Sequence, residues 1–334
     1  MIKNIILSFI FIILVSCTGS SFSIRKDIES EQLSRDKKIH KKEKKDYIYI
    51  SKLKDVEIPF EKVKEEIRAD ENDLIKKRKI EKEESKKKKE VNKLTEKRNR
   101  INKYPGFPGI LKVGEYLEFS LQYLGIKAGT GILEIKKRDV LNGKEIIKFK
   151  ARAYSAAPFS WFYKVDDLIQ SYLDIKNIES LRITKRIREG NYSRDDKIDF
   201  IQDENKVIKI TNNKKPKKVE TIEHALDILS AFYMFRTMDL KVGKSYKLPV
   251  YDVEKSYFLK VDVVDREVVK VPAGKFRAYK IKPDLKSMGL FKHKGDIFVW
   301  ISADDKRIPL ILKSSIMVGS VYGVLKEYRV KKNG

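Results

Sequence analysis

The chain has a single cysteine, Cys17, so no intramolecular disulfide can staple it. Its three histidines, His40, His224 and His293, have neither metal-ligand spacing nor neighbouring cysteines, and no metal centre is expected. There is no G-x-S-x-G elbow and no P-loop. Gly129-Thr130-Gly131 is a lone G-x-G leading into a strand pattern, which reads as a turn. No apolar run reaches the roughly 17–25 residues that a helix needs to cross a bilayer. From Glu57 to Arg100 there is no glycine, and Pro59 is the only proline. These absences exclude a disulfide scaffold, a phosphate-cradling loop and a serine-hydrolase elbow. Neither an enzymatic activity nor a cofactor is expected.

Charge is abundant instead. The 334 residues include 74 Lys/Arg and 48 Asp/Glu, a formal net charge of +26. Between Thr18 and Lys103, 28 basic and 19 acidic residues make over half of the segment charged. Such a stretch cannot bury enough apolar surface to offset its ordering entropy. Residues 17–103 are therefore expected to be a lipidated N-terminus and a charged spacer, either a solvated helix or largely unfolded. Good helix formers dominate its second half, and Glu83 with Lys86 and Lys87 offers i,i+3 and i,i+4 ion pairs. Tyr104-Pro105-Gly106-Phe107-Pro108-Gly109 marks the boundary to a body spanning 104–334.

The N-terminus carries the sharpest signal. A basic start, Met1 to Asn4, precedes about twelve residues from Ile5 to Ser16 that are apolar except for two serines. The run ends in Leu14-Val15-Ser16-Cys17, which looks like a bacterial lipobox. That likeness implies a signal peptide over 1–16, cleavage before Cys17 and acyl chains on Cys17, because one chain alone holds a protein to a membrane only marginally. The expected location is the cell envelope, facing the periplasm. Thr18 follows where an aspartate would favour inner-membrane retention, so the outer membrane is preferred over the inner. An exported protein meets no nucleic acid in its normal place. The run Lys86-Lys87-Lys88-Lys89 is thus read as plain solvated spacer or as attracted to anionic headgroups.

Beyond Gly109 the apolar period becomes two. Leu117, Phe119, Leu121 and Tyr123 alternate with polar residues, as do Ile147, Phe149, Ala151 and Ala153, then Tyr257, Leu259, Val261 and Val263, then Ile297, Val299 and Ile301. Asn142-Gly143 is a hairpin signal. About ten to twelve strands are expected. One segment has helical spacing: Ile222, Ala225, Leu226, Leu229, Phe232 and Tyr233, with Thr221 placed as its cap. The expected fold is mainly β, a large curved antiparallel sheet (half-barrel or flattened barrel) carrying one amphipathic helix.

Several ordered clusters in this body resemble a bacterial envelope family, the domain of unknown function DUF3108. They are Gly114-Glu115-x-Leu117; Tyr123-x-Gly125-Ile126-x-Ala128-Gly129; Phe162-Tyr163-x-Val165-Asp166-Asp167; and Asp227-x-Leu229-Ser230-Ala231-x-Tyr233 with Arg236. Further on come Val271-Pro272-Ala273-Gly274-x-Phe276-x-Ala278, Val299-Trp300-Ile301-Ser302-x-Asp304-x-x-Arg307-x-Pro309 and Gly319. The resemblance implies a secreted or lipid-anchored protein with an antiparallel β body, and brings no catalytic residue with it. Asp304-Asp305 reads as a turn.

For function, a curved sheet crossed by a helix leaves an apolar concavity suited to an apolar or amphiphilic envelope ligand. The candidate ligand-binding residues are Trp161, Phe162, Arg236, Trp300 and Arg307. Ala156 to Tyr163 is read either as a flap, at the cavity mouth or dipping into a membrane, or as a core plug. Arg236 and Arg307 either meet an anionic headgroup or pair with Asp166 or Asp304. Asp166-Asp167 and Asp195-Asp196 are the carboxylate pairs available for glycoside hydrolysis. The body's 45 basic against 29 acidic residues favour acidic partners such as phospholipid, lipopolysaccharide or wall polymer. The alternative to a lipid-carrier-like protein is a structural or assembly factor that docks an envelope protein or wall polymer, without a small ligand.

Overall fold

The computed structural model describes residues 102–331 apart from 253–254, 285–295 and 316–318, together with the isolated positions Ser85, Asn92, Thr95, Arg98 and Asn99. Those five are helical and exposed. Segment 1–16, Cys17, His40, the run 86–89 and His293 lie outside the described residues. The chain divides into two compact units, one of them Thr18–Glu96, and the β-rich body belongs to the other, which contains Lys97–Gly334.

Period-two alternation becomes strand throughout the body. The first half holds β1 (Glu115–Tyr123), β2 (Ile126–Leu141), β3 (Lys144–Ser155), a short helix α1 (Phe159–Phe162), β4 (Asp166–Asp174), β5 (Glu179–Glu189), β6 (Tyr192–Ile201), β7 (Lys206–Thr211) and β8 (Lys217–Glu220). Helix α2 (Ile228–Arg236) follows, and then β9 (Ser245–Asp252), β10 (Lys255–Val271), β11 (Gly274–Pro283), β12 (Ile297–Ser302), β13 (Pro309–Ser315) and β14 (Ser320–Val330). All fourteen strands form one sheet in the order β8-β7-β6-β5-β4-β3-β2-β1-β14-β13-β12-β11-β10-β9. Every neighbouring pair is antiparallel; two meanders lie side by side, joined where β1 pairs with β14.

The sheet does not close: β8 and β9 are its edges. It curls instead, because most strands offer one apolar face. In β1 burial alternates at every residue. Side chains tie the curl together where no backbone ladder does. Buried Lys185 of β5 donates to buried Asp252 of β9. Phe200 of β6 meets Tyr251 of β9 edge to face, with ring centroids 6.0 Å apart. This is the half-barrel expected from the sequence; among the described residues of the body it has more strands than expected and a second, short helix, α1. The additional strands include β8, which is mostly exposed and carries no apolar period.

Helix α2 fills the curl. All its residues except Phe232 are buried, so it is covered on every side rather than along one stripe. Tyr233 stacks on Phe149 of β3 with centroids 4.1 Å apart, and Phe235 meets Tyr246 of β9 edge to face. The helix begins later than its apolar spacing suggests. Asp227, not Thr221, is its cap, accepting from the Leu229 and Ser230 N–H groups. The preceding residues are committed elsewhere: Leu226 bridges to Val250 of β9, and His224 has φ +53° with Nδ1 2.6 Å from Glu179 Oε1. Thr221 bonds with the Ser256 hydroxyl.

Turns fall where their chemistry places them. Asn142 and Gly143 take φ of +52° and +74° between β2 and β3, as a two-residue hairpin requires. Asp304 stabilises the β12–β13 turn, accepting from Ser302 Oγ and the Lys306 N–H. The segment 104–109 is packed onto the body: Tyr104 is buried and Gly106 N–H donates to the carbonyl of Thr237 at 2.9 Å, just beyond α2.

Candidate functional site

Between α2 and the sheet lies a cavity of about 70 Å³. Ile228, Leu229, Ala231, Phe232 and Phe235 of α2 form one wall. Leu248 of β9, Leu259 and Val261 of β10, Ile281 of β11, Ile297, Val299 and Ile301 of β12, and Leu312 of β13 form the other. Every lining residue is apolar. Such a wall can hold alkyl or aryl groups by exclusion from water, and offers nothing to orient or attack a polar centre. The volume is well below the roughly 300–1,000 Å³ of ordinary small-molecule pockets, enough for part of a chain rather than a whole lipid.

None of the five candidate ligand residues lines this space. Trp161 and Phe162 are 76% exposed on α1, which buries no residue, so that stretch is not a core plug. Arg236 is fully buried and engages neither Asp166 nor a headgroup site. Its guanidinium grips Glu115 through two bonds of 2.7 and 2.8 Å, and its Nε donates to the carbonyl of Arg307. Trp300 sits between the cavity-lining Val299 and Ile301 and points the other way, its indole N–H donating to Glu267 and Lys280 lying over the ring. Arg307 occupies the β12–β13 turn at φ +50°, its guanidinium 5.0 Å from the Tyr279 ring. The lining positions of β10 and β12 carry the alternation that predicted strands, whereas of the α2 lining only Leu229 and Phe232 belong to the helically spaced set and Ile228, Ala231 and Phe235 lie outside it.

The paired carboxylates diverge. Successive strand residues face opposite sides of a sheet. Asp166 points outward to Arg152 and Arg186, at 3.0 and 3.3 Å, while Asp167 is buried and accepts from the Arg188 N–H at 2.6 Å. Asp195 likewise meets Arg188 outside, and Asp196 turns inward to the Thr211 hydroxyl. The true neighbour of Asp167 is Glu189, which the bridge between Val165 and Glu189 brings alongside. Sequence gave no sign of this pair, because it depends on strand register. Gly190 completes the corner at φ +55°; a Cβ there would come within 2.8 Å of the Tyr163 ring.

Burial, with the Glu189 carboxylate beside it, pushes Asp167 up to about 8, against the pull of the Arg188 N–H. The unfolded chain releases that proton near pH 4. Between about pH 4 and pH 8 the unfolded state therefore binds fewer protons than the folded one, and stability falls as pH rises. Asp167→Asn keeps an oxygen for the Arg188 N–H and removes the titration. We expect it to flatten the decline in melting temperature across that window, recovering on the order of a few kcal/mol at pH 8. Thermal melts of both proteins from pH 4.5 to 8.5 check this; parallel curves would refute it.

Among the described residues no group of three or more His, Cys, Asp or Glu side chains converges as a metal site would, and no helix is long and apolar enough to cross a membrane. The class is thus an open, curled antiparallel β body with a buried helix and an apolar cavity. The chain belongs to DUF3108, a family of proteins of unknown function, which matches residues 118–326. No curated protein matches the sequence. Among solved structures it is similar to a beta-barrel-like protein of the domain of unknown function DUF1849 from Brucella abortus, at 10% identity and TM-score 0.46, over 66% of this chain and 99% of that one. It is also similar to a protein from Bacteroides fragilis described as exported, with a YmcC-like fold, at 11% identity and TM-score 0.32, over 65% of this chain and 96% of that one. A protein from Parabacteroides distasonis described as a lipoprotein matches at 11% identity and TM-score 0.30, over 65% and 95% of the two chains.

Proposed function

We propose that this is a non-enzymatic, lipid-anchored protein of the bacterial cell envelope. It is acylated at Cys17 and faces the periplasm from the outer membrane, and its β body holds an apolar chain between α2 and strands β10 to β13. The lipobox-like Leu14-Val15-Ser16-Cys17 supports the anchor. The observation that carries the binding reading is the cavity between α2 and the sheet, walled by apolar side chains. A docking module for an envelope protein or wall polymer is the second reading. It is favoured by the small cavity volume, about 70 Å³, and by the basic surplus of the body.

One preparation tests both. Protein recovered from membranes is weighed intact, and its organic extract is analysed by mass spectrometry. The expected intact mass is that of the chain from Cys17 plus a diacylglyceryl group and an acyl chain, and Cys17→Ala should abolish the addition. The expected extract holds about one lipid per protein, reduced in Ala231→Leu, whose added carbons occupy the cavity. If the cavity is empty, Ala231→Leu should stabilise the fold instead, by up to about 1.7 kcal/mol at ~24 cal/mol per Å³. A clean extract with that stabilisation would reject the ligand and leave the docking module.

A further inference from the structure

The loops at one end of the sheet expose what the interior would normally claim. Leu124 and Ile126, in and beside the β1–β2 turn, are 65% and 58% exposed, and Trp161 and Phe162 of α1 are each 76% exposed. The two turns are neighbours. β2 and β3 pair down to Gly129 and Ser155, and beyond that rung Ala156 N–H donates to the carbonyl of Ala128 at 3.0 Å. The chain thus leaves β3 for α1 directly beside the base of the β1–β2 turn. Lys127 follows Ile126 and Lys164 precedes Val165; both are exposed, and Lys127 contributes to holding the Glu118 carboxyl below its ordinary range.

We propose that this end of the body is a membrane-contact surface, which inserts Leu124, Ile126, Trp161 and Phe162 among the acyl chains of an anionic lipid surface while Lys127 and Lys164 meet its headgroups. Charge complementarity selects the occupant. A chain of net charge +26, with lysines flanking apolar turn tips, is drawn to a negative interface. Tryptophan has the amphipathic ring that settles at such an interface, apolar body inward and N–H toward water. The side chains also stand on the β1–β2 turn, the first residue of β2 and the short helix α1 rather than along a flat strand face, a shape that can enter a lipid layer a few ångströms deep. Acyl chains on Cys17 would bring the bilayer near, but the surface itself needs no acylation, so the two ideas fail separately.

The test uses the chain without its first 16 residues and with Cys17→Ser, which removes both the apolar leader and the acylation site. Trp300→Phe makes Trp161 the only tryptophan. The protein is mixed with vesicles of phosphatidylcholine alone or with phosphatidylglycerol, and Trp161 emission is recorded. With anionic vesicles we expect a blue shift and quenching by acyl-brominated lipid. Phe162→Ser with Ile126→Ser should weaken the apparent vesicle affinity about tenfold or more. The charged spacer can bind anionic vesicles too, so the affinity is read from the Trp161 blue shift and quenching and not from sedimentation. Water-like, unquenched Trp161 emission on sedimented vesicles would overturn the proposal. So would a blue shift already present without lipid in a dimer, which would make the surface a contact between two copies. Should Trp300→Phe fail to fold, the brominated-lipid measurement is made with Trp300 retained, and Trp161→Phe supplies the Trp300 background to be subtracted.

Discussion

Arg236→Met is expected to destabilise the body by about 3–5 kcal/mol, because it leaves the Glu115 carboxyl group buried without its partner. The guanidinium is fully buried, with two N–H groups on Glu115, Nε on the carbonyl of Arg307 and a longer contact of 3.4 Å to the carbonyl of Lys306. It also lies 5.2 Å from the Tyr233 ring. One side chain therefore joins the start of β1, the last turn of α2 and the β12–β13 turn, three pieces far apart in the chain. As a cation at a helix C-terminus it also complements the carbonyl ends there. Glu115→Leu should cost a comparable amount, since it strands the buried arginine. The double variant Arg236→Met/Glu115→Leu should recover much of the loss, because an apolar pair of similar volume carries no desolvation penalty. Urea unfolding of the two single variants and the double variant gives the coupling directly. An Arg236→Met variant within 1 kcal/mol of the parent would show that the pair does not hold the three pieces together.

Asp227→Ala has the second largest expected effect, about 3–4 kcal/mol, combining a lost helix cap with two stranded hydroxyls. One carboxylate oxygen accepts from the Leu229 and Ser230 N–H groups; the other accepts from Ser171 Oγ at 2.7 Å and Ser180 Oγ at 2.6 Å. Ser180 Oγ in turn accepts the Asp227 N–H. Since the one proton of Ser171 goes to Asp227, the bond between Ser171 and Ser230 has Ser230 as its donor. All these groups are buried on β4, β5 and α2. Asp227→Asn is the sharper probe. It keeps the shape and one capping oxygen but aims an NH₂ group at two hydroxyl donors, so it should also destabilise markedly. Thermal melts that place Asp227→Asn level with the parent would mean that capping alone matters and the hydroxyl network does not.

Much of the architecture was legible along the chain. Alternation at Leu117 to Tyr123, at Ile147 to Ala153 and at Ile297 to Ile301 told strand and inner face together, because a side-chain period of two is a local property of extended backbone. Asn142-Gly143 named its own turn, and Gly114 to Leu325 resembled the family that matches residues 118–326. Local signals misled where the backbone had a second use. Ile222 to Leu226 has helical spacing, yet Leu226 bridges to β9, so the helix waits for Asp227. The exposed edge strand β8 has no apolar period to read.

Contacts between distant residues were out of reach for a different reason. Arg236 finds Glu115 across 121 positions and Lys185 finds Asp252 across 67; each needs the curl of the sheet to bring two buried charges together. The neighbours of Asp167 follow from register, which a one-residue slip would reverse. Whether an apolar residue lines the cavity or fills the core depends on how far α2 stands from β10 to β13, a distance that no spacing in the chain encodes. The amino-acid order therefore settled which backbone would be extended and which side would be dry; the folding of one face over another settled which charges are matched and where empty space remains.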